Sequence, residues 1–196
     1  LDEYRDALSL ELLGARLQAN RTTFTLGKLA SELYAQGKYD ESLTLFREVL
    51  EAKRETLGSW HPDTLTSINN LSMLMKAKGD LAGAEPLQRE VLEATRETLG
   101  DRHPITLSSI NNLSLLLKDK GDLAAAESLQ REALEGLRET LGSRHPNTLT
   151  SINNLSQMLQ DRGDLDGAEP LLQEALKATR ETLGGRHPST LTIISN

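Results

Sequence analysis

Two sets of residues in this chain have types and spacings that could do chemistry. The first is His61, His103, His145 and His187, each followed by proline and each 42 residues after the last. Imidazole is a good zinc ligand, but the ligands of one ion all lie about 2 Å from it. Equivalent side chains of stacked units stand a whole unit apart, roughly 10 Å or more. No other ligand type recurs at a useful spacing, so no metal site is predicted, and each His-Pro is assigned to the loop between one helix pair and the next. The second set is the pairs Asn69–Asn70, Asn111–Asn112 and Asn153–Asn154, again 42 residues apart. Asparagine is mediocre inside a helix because its amide competes for backbone groups. Six at fixed positions therefore need a reason. Each amide offers a donor pair and an acceptor, which suits an extended peptide backbone. The alternative is that one asparagine of each pair bonds across helices and fixes the stack.

Other chemistries find no support. Glycines stand singly rather than grouped as a phosphate cradle, and the histidines recur instead of appearing once beside a unique acid. There is no cysteine, hence no disulfide scaffold, thiolate nucleophile or Cys-ligated zinc or iron–sulfur centre. The chain is read as non-catalytic and without a cofactor. Lys plus Arg number 22 against 29 Asp plus Glu, a formal charge of −7, which disfavours a nucleic-acid coat. No run approaches the ~20 apolar residues that cross a bilayer, and no basic-then-apolar leader opens the chain. No membrane partner is expected, and a cytoplasmic location is. The chain starts at Leu1 rather than a methionine, as an excised segment of a longer protein would.

The elements that must position these residues follow from an internal repeat. Residues 65–106 and 107–148 differ at 11 of 42 positions. Such a unit buries its apolar face against its neighbours. Leu65, Ile68, Leu71 and Met75, repeated as Leu107, Ile110, Leu113 and Leu117, form one stripe of a helix A. Gly79-Asp80 breaks it, the glycine as a left-handed terminus and the aspartate as a cap. Leu81, Ala84, Leu87, Val91, Leu92 and Thr95, continuing to Leu99, form helix B. Gly100 ends it, and Pro104 suits the first turn of the next helix. The pattern predicts antiparallel pairs of about 15 and 18 residues, with a slight bend or an unpaired carbonyl at Pro86 and Pro170. The fold class is an all-α solenoid. Its divisions are a lone N-terminal helix (1–22), repeat 1 with a divergent helix A (23–64), repeat 2 (65–106), repeat 3 (107–148), repeat 4 (149–190) and the start of a truncated repeat (191–196).

This unit resembles a tetratricopeptide repeat. Gly79 and Ala84 match two signature small residues of that family, and Leu81 and Leu92 match large apolar positions. The 42-residue period and the phrases Leu-Gly-x-x-His-Pro-x-Thr-Leu, Asn-Asn-Leu and Gly-Asp-Leu-x-x-Ala-Glu-x-Leu are similar to the kinesin light chain class of these repeats. The resemblance implies a right-handed superhelix with helix A on the concave side, and a protein or peptide bound in that groove by a scaffold or adaptor. It also implies that Asn70, Asn112 and Asn154 face the groove, with Asn69, Asn111 and Asn153 assisting. One turn further on, Met73, Leu115 and Gln157 are read as shallow side-chain pockets. Lys76 and Lys118, with Lys28, either attract an acidic segment or are merely solvated. Helix-B charges such as Arg89, Glu93 and Arg96 are read as a solvated face with weak pairs inside one helix. The alternative function is a structural spacer, or a head-to-tail assembly through the apolar tail Leu191–Ile194 on the N-terminal helix of another copy.

Overall fold

The computed structural model describes residues 21–183. The expected N-terminal helix (all but its last two residues), His187 and the tail Leu191–Ile194 lie outside the described residues. Among the described residues there are eight helices and no strand: α1 (21–35), α2 (Tyr39–Leu57), α3 (Pro62–Ala77), α4 (Leu81–Leu99), α5 (Pro104–Lys120), α6 (Leu123–Leu141), α7 (Pro146–Asp161) and α8 (Leu165–Leu183). Helices α3, α5 and α7 are of type A, and α2, α4, α6 and α8 of type B. Helix α1 is already formed at Arg21, two residues ahead of the expected boundary. The phase starting at 65, 107 and 149 falls three residues inside α3, α5 and α7. The chain divides within α4 into two compact units, Leu1–Leu87 and Gln88–Asn196.

Each A helix starts the same way. His103 has extended backbone, and its Nδ1 accepts the Ile105 N–H at 3.2 Å. His61 does this for Asp63 and His145 for Asn147, both at 3.1 Å. The histidine is thus the N-cap, satisfying one of the amides that a helix start leaves unpaired. Proline follows at the first helical position, where its missing N–H costs nothing. The hydroxyls of Thr64 and Thr148 donate to the carbonyls of Gly58 and Gly142 at 2.8 Å, tying the helix start to the end of the B helix before it.

The turn from A to B follows the other signal. Gly121 ends α5 at φ 88°, a left-handed conformation that costs a residue with a Cβ ~1–2 kcal/mol. Asp122 then caps α6 by accepting the Ala125 N–H at 3.1 Å. Asp80 and Asp164 cap Gly83 and Gly167 at 2.9 Å. In the divergent first pair Lys38 occupies this place, and α2 has no side-chain cap. Helices α4 and α8 run unbroken through Pro86 and Pro170.

In the N-terminal unit, Phe46, Val49 and Leu50 of α2 are buried, as are Leu65, Ile68, Leu71, Leu74 and Met75 of α3. Helices A and B meet at small residues. Ser72 Oγ donates to the Ala84 carbonyl of α4 at 3.3 Å. Helices α1 and α2 exchange the two residue types: Ser42 Oγ of the second helix donates to Ala30 of the first at 2.7 Å. The divergent pair therefore keeps the close contact with donor and acceptor helix reversed. In the C-terminal unit, one buried cluster joins Leu107, Ile110, Leu113 and Leu117 of α5 to Ala126, Ala133 and Leu137 of α6 and Met158 of α7. A second joins Ile152, Leu155 and Leu159 of α7 to Ala168 and Ala175 of α8 and Leu134 of α6. These are the apolar stripes of the sequence, each worth ~25 cal/mol per Å² removed from water.

Candidate functional site

The A helices present two faces that could receive a ligand, one in each unit. In the N-terminal unit, Asn70 and Met73 lie three residues apart on α3, as do Ser31 and Tyr34 on α1, so each pair shares a helix face. Together with Phe46 of α2 and Leu74 of α3 they line a pocket of about 130 Å³. Phe46 and Leu74 are buried and form its floor, while Ser31, Tyr34, Asn70 and Met73 are exposed. The Asn70 amide has no hydrogen-bond partner among the described residues. On α1, the Lys28 ammonium lies 4.9 Å from the ring centroid of exposed Phe24, a cation–π contact. The rings of Tyr34 and Tyr39 are 5.5 Å apart.

In the C-terminal unit Asn111 and Asn112 have different tasks. Gln130 of α6 is fully buried. Its Nε2 donates to Asn111 Oδ1 at 3.2 Å and to Ser151 Oγ at 2.8 Å, and its Oε1 lies 3.0 Å from the Ser114 hydroxyl. Asn154 Nδ2 donates to the same Asn111 oxygen at 3.1 Å. Asn111 therefore joins α5 to α6 and α7, the cross-helix role held open for one member of each pair. Asn112, one residue on, is exposed, and its side chain makes no bond among the described residues. Asn69 and Asn153 are half-buried and have partners.

The residues one turn along also divide. Met73 is exposed on the pocket rim, whereas Leu115 is half-buried against the α5–α6 cluster. Gln157 donates to Asp161 Oδ1 at 3.1 Å, and Lys118 reaches Asp161 Oδ2 at 2.8 Å. The Lys118 ammonium, helped by Gln157, holds the Asp161 carboxyl below its ordinary range. The charge of Lys118 is thus already answered by an acid of the chain. Lys76 is half-buried and has a partner.

The B helices and the loops that follow them carry ion pairs to the next B helix, rather than only pairs within one helix. Arg96–Glu132 and Arg138–Glu174 are 2.5 Å apart, Arg102–Glu139 2.6 Å and Arg144–Glu181 2.7 Å. Glu127 accepts from Arg131 of its own helix at 2.8 Å and from Arg162 at the end of α7. At their exposure each is worth ~1 kcal/mol or less. Their direction across successive helices makes this face a seam of the stack. Sequence reasoning missed Gln130, Tyr34, Ser31 and Phe46. A signal existed for the first, since Gln88 and Gln130 repeat at one period beside leucines. The pocket residues belong to the divergent first pair, where the period gives no guide.

A family model described as Tetratricopeptide repeat matches residues 21–94, 73–139, 111–181 and 148–196. The chain belongs to the tetratricopeptide repeat family. The fold of this tetratricopeptide repeat protein is an all-α repeat solenoid, a fold generally used for protein–protein interaction and generally non-catalytic. A kinesin light chain-like protein of Podospora anserina with nearly identical TPR-like repeats has a similar structure, with TM-score 0.77 and 28% identity over 86% of this chain and 80% of that one. BtubC (BKLC) from P. vanneervenii is similar in fold at TM-score 0.75 and 23% identity, over 87% and 67% of the two chains. MamA from Desulfovibrio magneticus RS-1 is similar in fold at TM-score 0.62 and 14% identity, over 82% and 77%. No curated protein matches the chain. Among the described residues, no helix is long and apolar enough to cross a membrane.

Proposed function

We propose that this tetratricopeptide repeat protein is a non-catalytic scaffold or adaptor that holds an extended segment of a partner protein along the exposed face of its A helices. The observation that carries the reading is the Asn70 amide, exposed and without a hydrogen-bond partner among the described residues, on the rim of an apolar pocket. An amide there offers a peptide backbone both a donor and an acceptor, and the pocket takes an apolar side chain beside it. Asn112 offers a second amide of the same kind on α5. Lys28 adds a positive group near the pocket's helix, which favours an acidic residue in the ligand. Lys118 contributes little to that preference, being paired with Asp161. A peptide-library screen on the intact chain identifies the ligand. Asn70→Ala and Asn112→Ala should each weaken the selected peptide by ~1–2 kcal/mol without lowering the melting temperature, since alanine is the better helix former. Full affinity in both variants would refute the reading.

A further inference from the structure

We propose that Met73 is a site of reversible oxidation that gates the pocket it rims. The gating rests on the ligand-binding reading above, while the oxidation chemistry stands apart from it. The chain has three methionines. Met75 is 8% exposed and Met158 0%, whereas Met73 is 60% exposed. The matching positions of the other units hold Ser31, Leu115 and Gln157, so a thioether stands at this place only beside the 130 Å³ pocket. The oxidant is a hydroperoxide, hydrogen peroxide in its simplest form. With hydrogen peroxide, the Met73 sulfur attacks one peroxide oxygen, the S–O bond forms and the O–O bond breaks, and the released hydroxide takes the proton from the transferred oxygen and leaves as water. Sulfur loses two electrons and the peroxide gains them. Burial shields the other two sulfurs.

The product is a polar, chiral side chain that methionine sulfoxide reductases return to methionine. Its oxygen is a strong acceptor on the helix face shared with Asn70, and it competes for the amide that a bound backbone would use. It also places a dipole at the mouth of a pocket floored by Phe46 and Leu74, where an apolar side chain gains least from entering.

The test uses the intact chain with methyl-labelled methionine. After peroxide treatment, peptide mapping should show a gain of about 16 Da at Met73 roughly tenfold faster than at Met75 or Met158. N-acetyl-leucinamide, the probe of the pocket, should shift the Met73 methyl resonance and the Tyr34 ring signals of the reduced protein. Those Tyr34 shifts should vanish on oxidation and return with reductase. In Met73→Leu, whatever Tyr34 shift the probe gives should be the same before and after peroxide treatment. Equal oxidation rates at the three methionines, or unchanged probe binding after oxidation, overturn the gate and leave the pocket reading standing. A reduced protein that shows no shift refutes the pocket reading and the gate together, while the mass readout still reports the oxidation.

Discussion

Asn111→Ala and Asn112→Ala alter neighbouring identical residues and should have opposite effects on stability. Asn111 Oδ1 is the shared acceptor of Gln130 Nε2 and Asn154 Nδ2. Gln130 is fully buried, so water cannot replace the lost acceptor, and a buried group left short costs ~1–3 kcal/mol. The lower half of that range applies, because Nε2 keeps its bond to Ser151. Asn154 is half-buried and can turn its amide to water. Alanine returns ~0.5 kcal/mol as the better helix former. The net loss for Asn111→Ala is about 1 kcal/mol. Asn112→Ala loses no bond and should gain ~0.5 kcal/mol. With a slope of ~2 kcal/mol per molar urea, the midpoint should fall by roughly 0.5 M for the first variant and rise by roughly 0.2 M for the second. Urea titration followed by circular dichroism reads both, compared at equal slope because repeat arrays can depart from two-state unfolding. Adding Gln130→Ala should make the Asn111 effect disappear, with a coupling of ~0.5–1.5 kcal/mol. Equal midpoints for the two single variants would refute the division of labour.

His103→Ala should cost ~1 kcal/mol through loss of the N-cap, and His103→Asp should restore it, since aspartate accepts the same amide and suits a helix N-terminus; thermal melts of the three proteins decide. The Asp161 carboxyl is held low by Lys118, so its contribution is complete above the unfolded carboxylate value of about 3.9 and is lost as pH falls through the lower folded value. The stability gap between the native chain and Lys118→Met should therefore close on acidification, and carbon-detected titration of Asp161 should move upward in the variant; at this exposure the gap is ~0.5 kcal/mol or less. Gly121→Ala should destabilise by ~1–2 kcal/mol because φ there is 88°, whereas a variant as stable as the native chain would mean that the turn relaxes.

The helices were legible because their causes are local. An apolar residue every third or fourth position, a glycine that can turn left-handed and an aspartate that caps sit within a few residues of one another, and they recur at one period. The role of the histidine was half-legible. Its place in the loop followed from the proline after it, but the Nδ1 bond to the second amide of the helix depends on an extended backbone at His103. The ion pairs were misjudged for a different reason. Spacing along one helix identifies partners three or four residues apart, whereas Arg96 finds Glu132 and Arg138 finds Glu174, partners that exist only once the units are stacked.

The candidate site was legible in residue type and illegible in assignment, and the asparagines show why. Asn111 and Asn112 are the same residue on the same helix, and nothing local distinguishes them. What separates them is Gln130 on the next helix, buried with a donor that needs an acceptor. That position reads Phe46, Gln88, Gln130 and Leu172 through the units, so even a near-identical array does not repeat its polar stitches throughout. The consensus of such an array describes what holds the stack. A ligand can tell one unit from another only through departures from it. Every aromatic residue of the chain lies between Tyr4 and Trp60, and the exposed methionine and the apolar pocket stand in the same unit as the described aromatics. Recognition of a particular side chain is therefore expected at the divergent α1–α3 face, whereas side-chain amides such as that of Asn112 offer a peptide backbone contacts that do not depend on its sequence.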